Sequence, residues 1–316
     1  MTDGNRSNRL TFPRIPSLFA IVTALLSSAP LYAQNAPVAA VAPEPAAANI
    51  NINPKRITFD RVGKSATISV FNQGGASGLF DVEFVDRVML PDGQIVPAAD
   101  AAAKPELKPI FDRLKSAKAM VVVTPRRIKL AANGGQAIRV RAAPTEGLAP
   151  GEYRTHLTVT AVPPADIGLT AEQAASQKEG QLSFRVNSVL GISIPVILRV
   201  GNVDVRAAIE HPAIGFETIS IDGRAAPARA AILSFELVRV GANSLFGDLE
   251  VRGSRKGDTA PIGAVRGIGV YPEIDRRFVK IPLRRIPATG ERIEIQFRDD
   301  DTAPGAILSK ASLMAP

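Results

Sequence analysis

Residues 181–200 read QLSFRVNSVLGISIPVILRV, about three times the length of an ordinary strand. Leu182, Phe184 and Val186 share one parity, and Leu190, Ile192 and Ile194 continue it, with Ser188 interrupting. A period of two is the mark of an extended chain with one apolar face. A strand of this length must outrun its own sheet. Two readings stand side by side. Either it crosses the protein with every apolar side chain in its own core, or it offers an apolar edge whose purpose is to pair with another chain. A long edge without such a purpose is an aggregation hazard.

The same grammar extends upstream. Ile50–Phe59, Ser65–Asn72, Leu79–Val88, Met120–Val123, Ala137–Ala142 and Tyr153–Val162 alternate or are rich in β-branched residues. Between them sit Asn72-Gln73-Gly74-Gly75, Pro91-Asp92-Gly93, Asn133-Gly134-Gly135 and Pro150-Gly151, whose residues favour tight turns. Seven strands with this punctuation predict an antiparallel sandwich over residues 49–200. Segments 97–120 and 164–180 read as inserted loops, and without them the stretch approaches the roughly 100 residues of an immunoglobulin-like domain. Ile110, Phe111 and Leu114 share a face and predict a short helix in the first insert, limited by Pro109.

Past Gly201 the pattern restarts. Asn202–Ile209, Ile214–Ile219, Ala231–Arg239, Leu245–Arg252, Val265–Val270, Arg277–Leu283, Arg292–Arg298 and Ala306–Ser309 make a second small β domain over 201–316. No long linker separates the halves, so the two domains are expected to meet at a fixed angle. The fold class is therefore all-β: two immunoglobulin-like β-sandwich domains.

The chain has 316 residues, no Cys and two His, which excludes disulfides, thiolate zinc sites and Cys nucleophiles; no metal is expected. The formal charge of +8 comes from basic residues scattered along alternating segments and not gathered in one long run, so no nucleic-acid partner is expected. Arg6, Arg9 and Arg14 precede an apolar run, Leu18–Leu26, and the small residues of Ala29-Pro30-Leu31-Tyr32-Ala33. This arrangement reads as a signal peptide over 1–33 cut before Gln34; the run is too short to span a membrane, so no stable insertion is expected. Its loss removes three Arg and one Asp, leaving +6. Residues 34–48, QNAPVAAVAPEPAAA, lack bulk to pack and are expected to be a flexible leader.

Motifs for chemistry are sparse. Gly263-Ala264-Val265-Arg266-Gly267-Ile268-Gly269 lacks the strand-then-helix setting of a phosphate loop and reads as strand bulges or turns. His156 lies mid-strand and His211 precedes Pro212, neither with a nucleophile or carboxylate at a catalytic spacing. Asp299-Asp300-Asp301 reads as a solvated turn or an ion-pair partner in preference to a cation site. Enzymatic activity and cofactors are not expected.

The order of segments resembles the PapD-like periplasmic pilus chaperones. Residues 121–141, VVVTPRRIKLAANGGQAIRVR, resemble that family's Thr-Pro, strand, turn, strand segment; 148–164, LAPGEYRTHLTVTAVPP, follow in the right order, then a variable loop and the overlong strand. The opening Asn53-Pro54-Lys55-Arg56-Ile57-Thr58-Phe59 resembles the family's first strand. The resemblance implies that Arg56 anchors a subunit's C-terminal carboxylate and that Glu152, Arg199 and Asp299 form a buried network between the domains. It also implies strand donation to pilus or fimbrial subunits through Leu182, Phe184, Val186, Leu190 and Ile192. The implied partners are such subunits and an outer-membrane usher, in the periplasm; whether the free chain caps itself by dimerising is left open by the sequence. One departure stands out: the family's second anchoring residue, a Lys, is Pro195 here, which has neither charge nor amide N–H. A rival reading keeps the scaffold in a structural or adhesive envelope protein.

Overall fold

The computed structural model describes residues 49–60, 65–144, 147–163, 190–220 and 226–316. Leu182, Phe184 and Val186 lie outside them. Residues Glu44–Pro316 belong to one compact unit containing two β-sandwiches.

The first sandwich is built from β1 (Ile50–Asn53), β2 (Ile57–Phe59), β3 (Ser65–Asn72), β4 (Gly78–Val85), β5 (Arg87–Met89), β6 (Ile95–Pro97), α1 (Ala98–Ala102), α2 (Lys108–Phe111), β7 (Val121–Thr124), β8 (Arg127–Leu130), β9 (Gly135–Ala142), β10 (Gly151–Ala161) and β11 (Gly191–Val200). Its sheets run β1-β3-β9-β7 and β2-β11-β10-β4-β8. Alternation explains the packing. Ile50, Ile52, Ile68, Val70, Val121, Val123, Ile138 and Val140 from one sheet meet Ile57, Phe59, Phe80, Val82, Leu157, Val159, Ile194, Val196 and Leu198 from the other. The single strand expected over Ile50–Phe59 is two. Asn53-Pro54 is cis, and the chain leaves β3 to run parallel to β11 in the opposite sheet. Asn72 caps its turn from inside, receiving Gly74 N–H at 3.0 Å and donating to the Ala76 and Ala131 carbonyls, so a buried amide has its bonds met.

The second sandwich contains β12 (Ala207–Ile219), β13 (Ala228–Arg239), β14 (Leu245–Gly253), β15 (Gly263–Val270), β16 (Arg276–Pro282), β17 (Arg292–Asp299) and β18 (Ile307–Met314), in sheets β12-β13-β16 and β15-β14-β17-β18. The two strands expected over 202–219 are one, bent at a bulge. Pairing jumps from Glu210↔Glu236 to Ala213↔Ser234, with His211 at φ 52° and Pro212 between. Proline is tolerated there because a bulge leaves its position out of the ladder. Leu233, Phe235, Val251, Ile281, Ile295 and Phe297 centre the second core.

The first insert does more than loop: its α1 and α2 cover the β5–β6 hairpin that precedes it, with Val88, Ala98 and Ala101 packing against Ile110, Phe111 and Leu114. Pro109 sits in the first turn of α2, where its missing N–H costs nothing. The hairpin reaches the second domain. Met89 and Ile110 join the second core, Phe278 N–H donates to Pro91 C=O at 2.8 Å, and Arg113 forms a bidentate pair with Asp275.

Candidate functional site at the junction and the free strand edge

β10 carries two different faces. Leu157 and Val159 point into the first core, while Glu152, Arg154, His156 and Thr158 point toward the second domain, opposite Arg199, Ile197, Pro195 and Ser193 of β11. This polar strip is buried despite its charges, which requires partners.

At its inner end, Arg199 Nε donates to Glu152 Oε2 at 3.1 Å and its terminal nitrogens to Asp301 Oδ2 at 2.7 Å and Thr302 Oγ1 at 3.2 Å. Glu152 Oε2 also accepts from Ser244 N–H. The acidic partner across the junction is thus Asp301, in the place expected for Asp299. Asp299 has a different task. Its carboxylate accepts the N–H groups of Asp301, Thr302 and Ala303, holding the turn in which Asp301 faces inward. Burial works against the charges of Arg199 and Asp301, yet their attraction prevails: Arg199 is held above its ordinary pKa by Glu152 and Asp301, and Asp301 below its own by Arg56 and Arg199.

Arg56, expected to wait for a partner's carboxylate, is already engaged. Its side chain is 8% exposed, and it donates to Asp301 Oδ2 and Ser244 Oγ at 3.0 Å each. Its guanidinium lies 4.7 Å from the centre of the Phe246 ring. Two guanidiniums and two carboxylates make this cluster electrically balanced. It lines a cleft of about 490 Å³ with Lys55, Thr58 and Val203.

A second pair stands beside the first. Arg154, 2% exposed, forms an ion pair with Glu273 of the second domain, donates to the Arg87 carbonyl at 3.0 Å and stacks 4.0 Å over the Tyr271 ring. Glu273 also accepts Met89 N–H at 2.8 Å. Sequence reading missed this pair. The signal was available: in Glu152-x-Arg154-x-His156-x-Thr158 the polar residues share one parity of a strand whose other parity is core, but nothing in that run shows what covers the polar face. His156 contacts Arg154, and its pKa is lowered well below 6.5 by burial first and then by Arg154, Arg87 and Arg56.

The outer end of the strip is an open edge. Leu190 C=O accepts Ala161 N–H, which sets the parity of the β10–β11 ladder: even residues bond to β10, and Gly191, Ser193 and Pro195 turn their amide groups the other way. There β2 covers only Val196–Leu198, so among the described residues positions 191–195 have no ladder partner on that side. Pro195 fits such an edge because its missing N–H would have pointed outward. Leu190 is 51% exposed, as an edge offered to another chain would be. Ile192, expected to fill a partner's groove, packs half-buried against the first core, because it shares the inward parity of Ile194 and Val196.

The fold and this junction define a two-domain immunoglobulin-like protein with an open strand edge beside its interdomain cleft. Solved structures similar to it include the E. coli chaperone DraB, at 13% identity, covering 85% of this chain and 97% of that one, with a TM-score of 0.40. The periplasmic chaperone SfaE is similar at 12% identity, covering 84% of this chain and 98% of that one, with a TM-score of 0.39. The chain is also similar to a complex of the Salmonella enterica SafA pilin with the SafB chaperone, at 14% identity, 84% and 96% coverage and a TM-score of 0.37. No family model matches the chain, and no curated protein matches it. Among the described residues, no helix is long and apolar enough to cross a membrane.

Proposed function

We propose that the chain is a periplasmic chaperone of a chaperone–usher pathway that holds an incomplete pilus or fimbrial subunit on the edge of β11. The observation that carries this reading is the edge of Gly191–Pro195, without a ladder partner among the described residues and continuous in sequence with the alternating apolar residues from Leu182 to Leu190. A subunit lacking one strand exposes a ladder edge and an apolar groove. Main-chain bonds would complete the ladder, and Leu182, Phe184, Val186 and Leu190 would fill the groove at roughly 1.5–3 kcal/mol per fully buried side chain. Neither hydrolysis nor a cofactor is needed, since the binding energy comes from burial and pairing.

The rival, a structural or adhesive envelope protein on the same scaffold, is favoured by one observation: the charge of Arg56 is already matched by Asp301 within the chain. The test is a double change, Phe184→Ser with Val186→Ser. If these residues serve a client, the free protein keeps its unfolding midpoint within a degree or two while co-purification with a co-expressed strand-deficient pilus subunit is lost. A free protein destabilised by several kcal/mol, with subunit binding intact in its folded fraction, would refute strand donation by these residues.

A further inference from the structure

Beside the free edge lies a cavity of about 290 Å³ walled by Arg87, Ile95, His156, Ser193, Pro195 and Tyr271. The charges around it are uneven. The guanidiniums of Arg56 and Arg199 share Asp301, with Glu152 on Arg199, and Arg154 is matched by Glu273. Arg87 has no carboxylate within ion-pair distance among the described residues. Its Nε is buried without an acceptor, as are donors of Arg56 and Arg154, but those two guanidiniums have carboxylates and Arg87 does not. An uncompensated guanidinium with a buried donor left unbonded is costly in a closed protein and useful at a site that receives an anion.

Position gives the anion its bearer. A strand paired along Gly191–Pro195 would place alternate side chains on the cleft face of the sheet, next to Ser193 and Pro195, which are the residues that wall the cavity. Ile95, in the β5–β6 hairpin that reaches the second domain, is part of the wall, so the same hairpin also shapes this pocket. The neutral imidazole and the Tyr271 ring add no competing negative charge.

We infer that Arg87 is the cleft's carboxylate receptor, taking an acidic group carried by an extended strand bound along the β11 edge. The inference rests on the strand-capture reading for its bearer. It moves the anchoring role away from Arg56, whose charge is spent within the chain, and from position 195, where proline has none. A carboxylate here would form charge-assisted bonds with Arg87 and relieve its orphaned donor.

The chain has two histidines, so the His156 imidazole is an assignable NMR reporter inside the cavity, with exposed His211 as control. Acetate is titrated against chloride at constant ionic strength near pH 7.5, where His156 is neutral. The expected result is a saturable shift of the His156 signal alone, weakened at least tenfold in Arg87→Gln and largely kept in Arg87→Lys. No saturable shift in the wild type, or an equal one in Arg87→Gln, overturns the inference. Because the wild type itself can fail, a variant that does not fold leaves the test intact. Three ten-residue peptides alternating Thr and Val then separate the sources: amide-capped, ending in a free carboxylate, or amide-capped with a central Glu. An acid-bearing peptide should bind at least tenfold more tightly than the neutral one, with the gain lost in Arg87→Gln, and whichever form gains names the source. If the neutral peptide binds and neither acid helps, the Arg87 site falls and strand capture stands. If acetate shifts His156 and no peptide binds, the site stands and strand capture falls.

Discussion

His156 shows how one side chain can make a junction sensitive to acid. It is buried between Arg154, Arg87 and the Tyr271 ring, with Arg56 contributing from further off, and those cations face it without a carboxylate of its own. Its pKa is lowered in the folded state, so the unfolded chain binds the proton more readily. The stability that neutral His156 contributes is therefore complete above about pH 6.5 and is lost as pH falls through the depressed folded value. Unfolding midpoints of the wild type and His156→Gln, compared from pH 7 to pH 4, should show a steeper acid loss in the wild type. Parallel curves would count against the role. Neighbouring carboxylates such as Asp301 titrate equally in both proteins and cancel in the comparison. The residue scale also shows a division of labour between Asp299 and Asp301: one shapes the turn through backbone N–H groups, and the other meets the guanidiniums.

Among the elements, the β5–β6 hairpin decides most beyond the sheets. Its turn has Gly93 at φ 89°, with the Arg277 guanidinium packed where a Cβ would stand. Arg277 in turn donates to the Gly269 carbonyl. Gly93→Ala would impose a left-handed conformation on an L-residue, at about 1–2 kcal/mol, and push Arg277 off its seat. The expected outcome is a lower unfolding midpoint together with faster amide exchange at Phe278, whose N–H is held by the Pro91 carbonyl in the same contact. Unchanged exchange there would mean that the hairpin does not hold the second domain. β10 and β11 supply the complementary lesson. One parity of each builds the first core, and the other carries Glu152, Arg199 and Arg154 into buried ion pairs, so a single pair of strands serves packing and junction together.

At the scale of the whole molecule, the two sandwiches are joined by charge as well as by apolar contact. Removing one member of a buried pair leaves the other charged and unpaired, whereas removing both can be nearly neutral. Arg154→Ala should therefore cost about 3–5 kcal/mol, and Arg154→Met combined with Glu273→Leu should recover most of that loss in chemical denaturation. Equal midpoints for the single mutant and the wild type would show that the pair contributes nothing to the junction. Export belongs to the same scale. The mature chain is expected to begin at Gln34, which N-terminal sequencing of the expressed protein checks; a chain intact from Met1 in the membrane fraction would refute it.

Much of this protein was legible without coordinates. Alternation and turn residues specified strands such as Ser65–Asn72 and Ala137–Ala142, because a period of two states directly which side chains face a core. The polar face of β10 was visible in the same way, and the pairing of Arg199 with Glu152 was expected from the family resemblance. Tertiary structure alone decided what lies against each face. It selected Asp301 from three adjacent aspartates, because the turn geometry consumes Asp299 in backbone bonds. It brought Glu273 to Arg154 and Asp301 to Arg56, contacts between residues 119 and 245 positions apart. It also set the hairpin insert against the second domain. Local periodicity reports the direction of a side chain, whereas the partner it meets depends on how the two sandwiches pack together, and that information is spread over both.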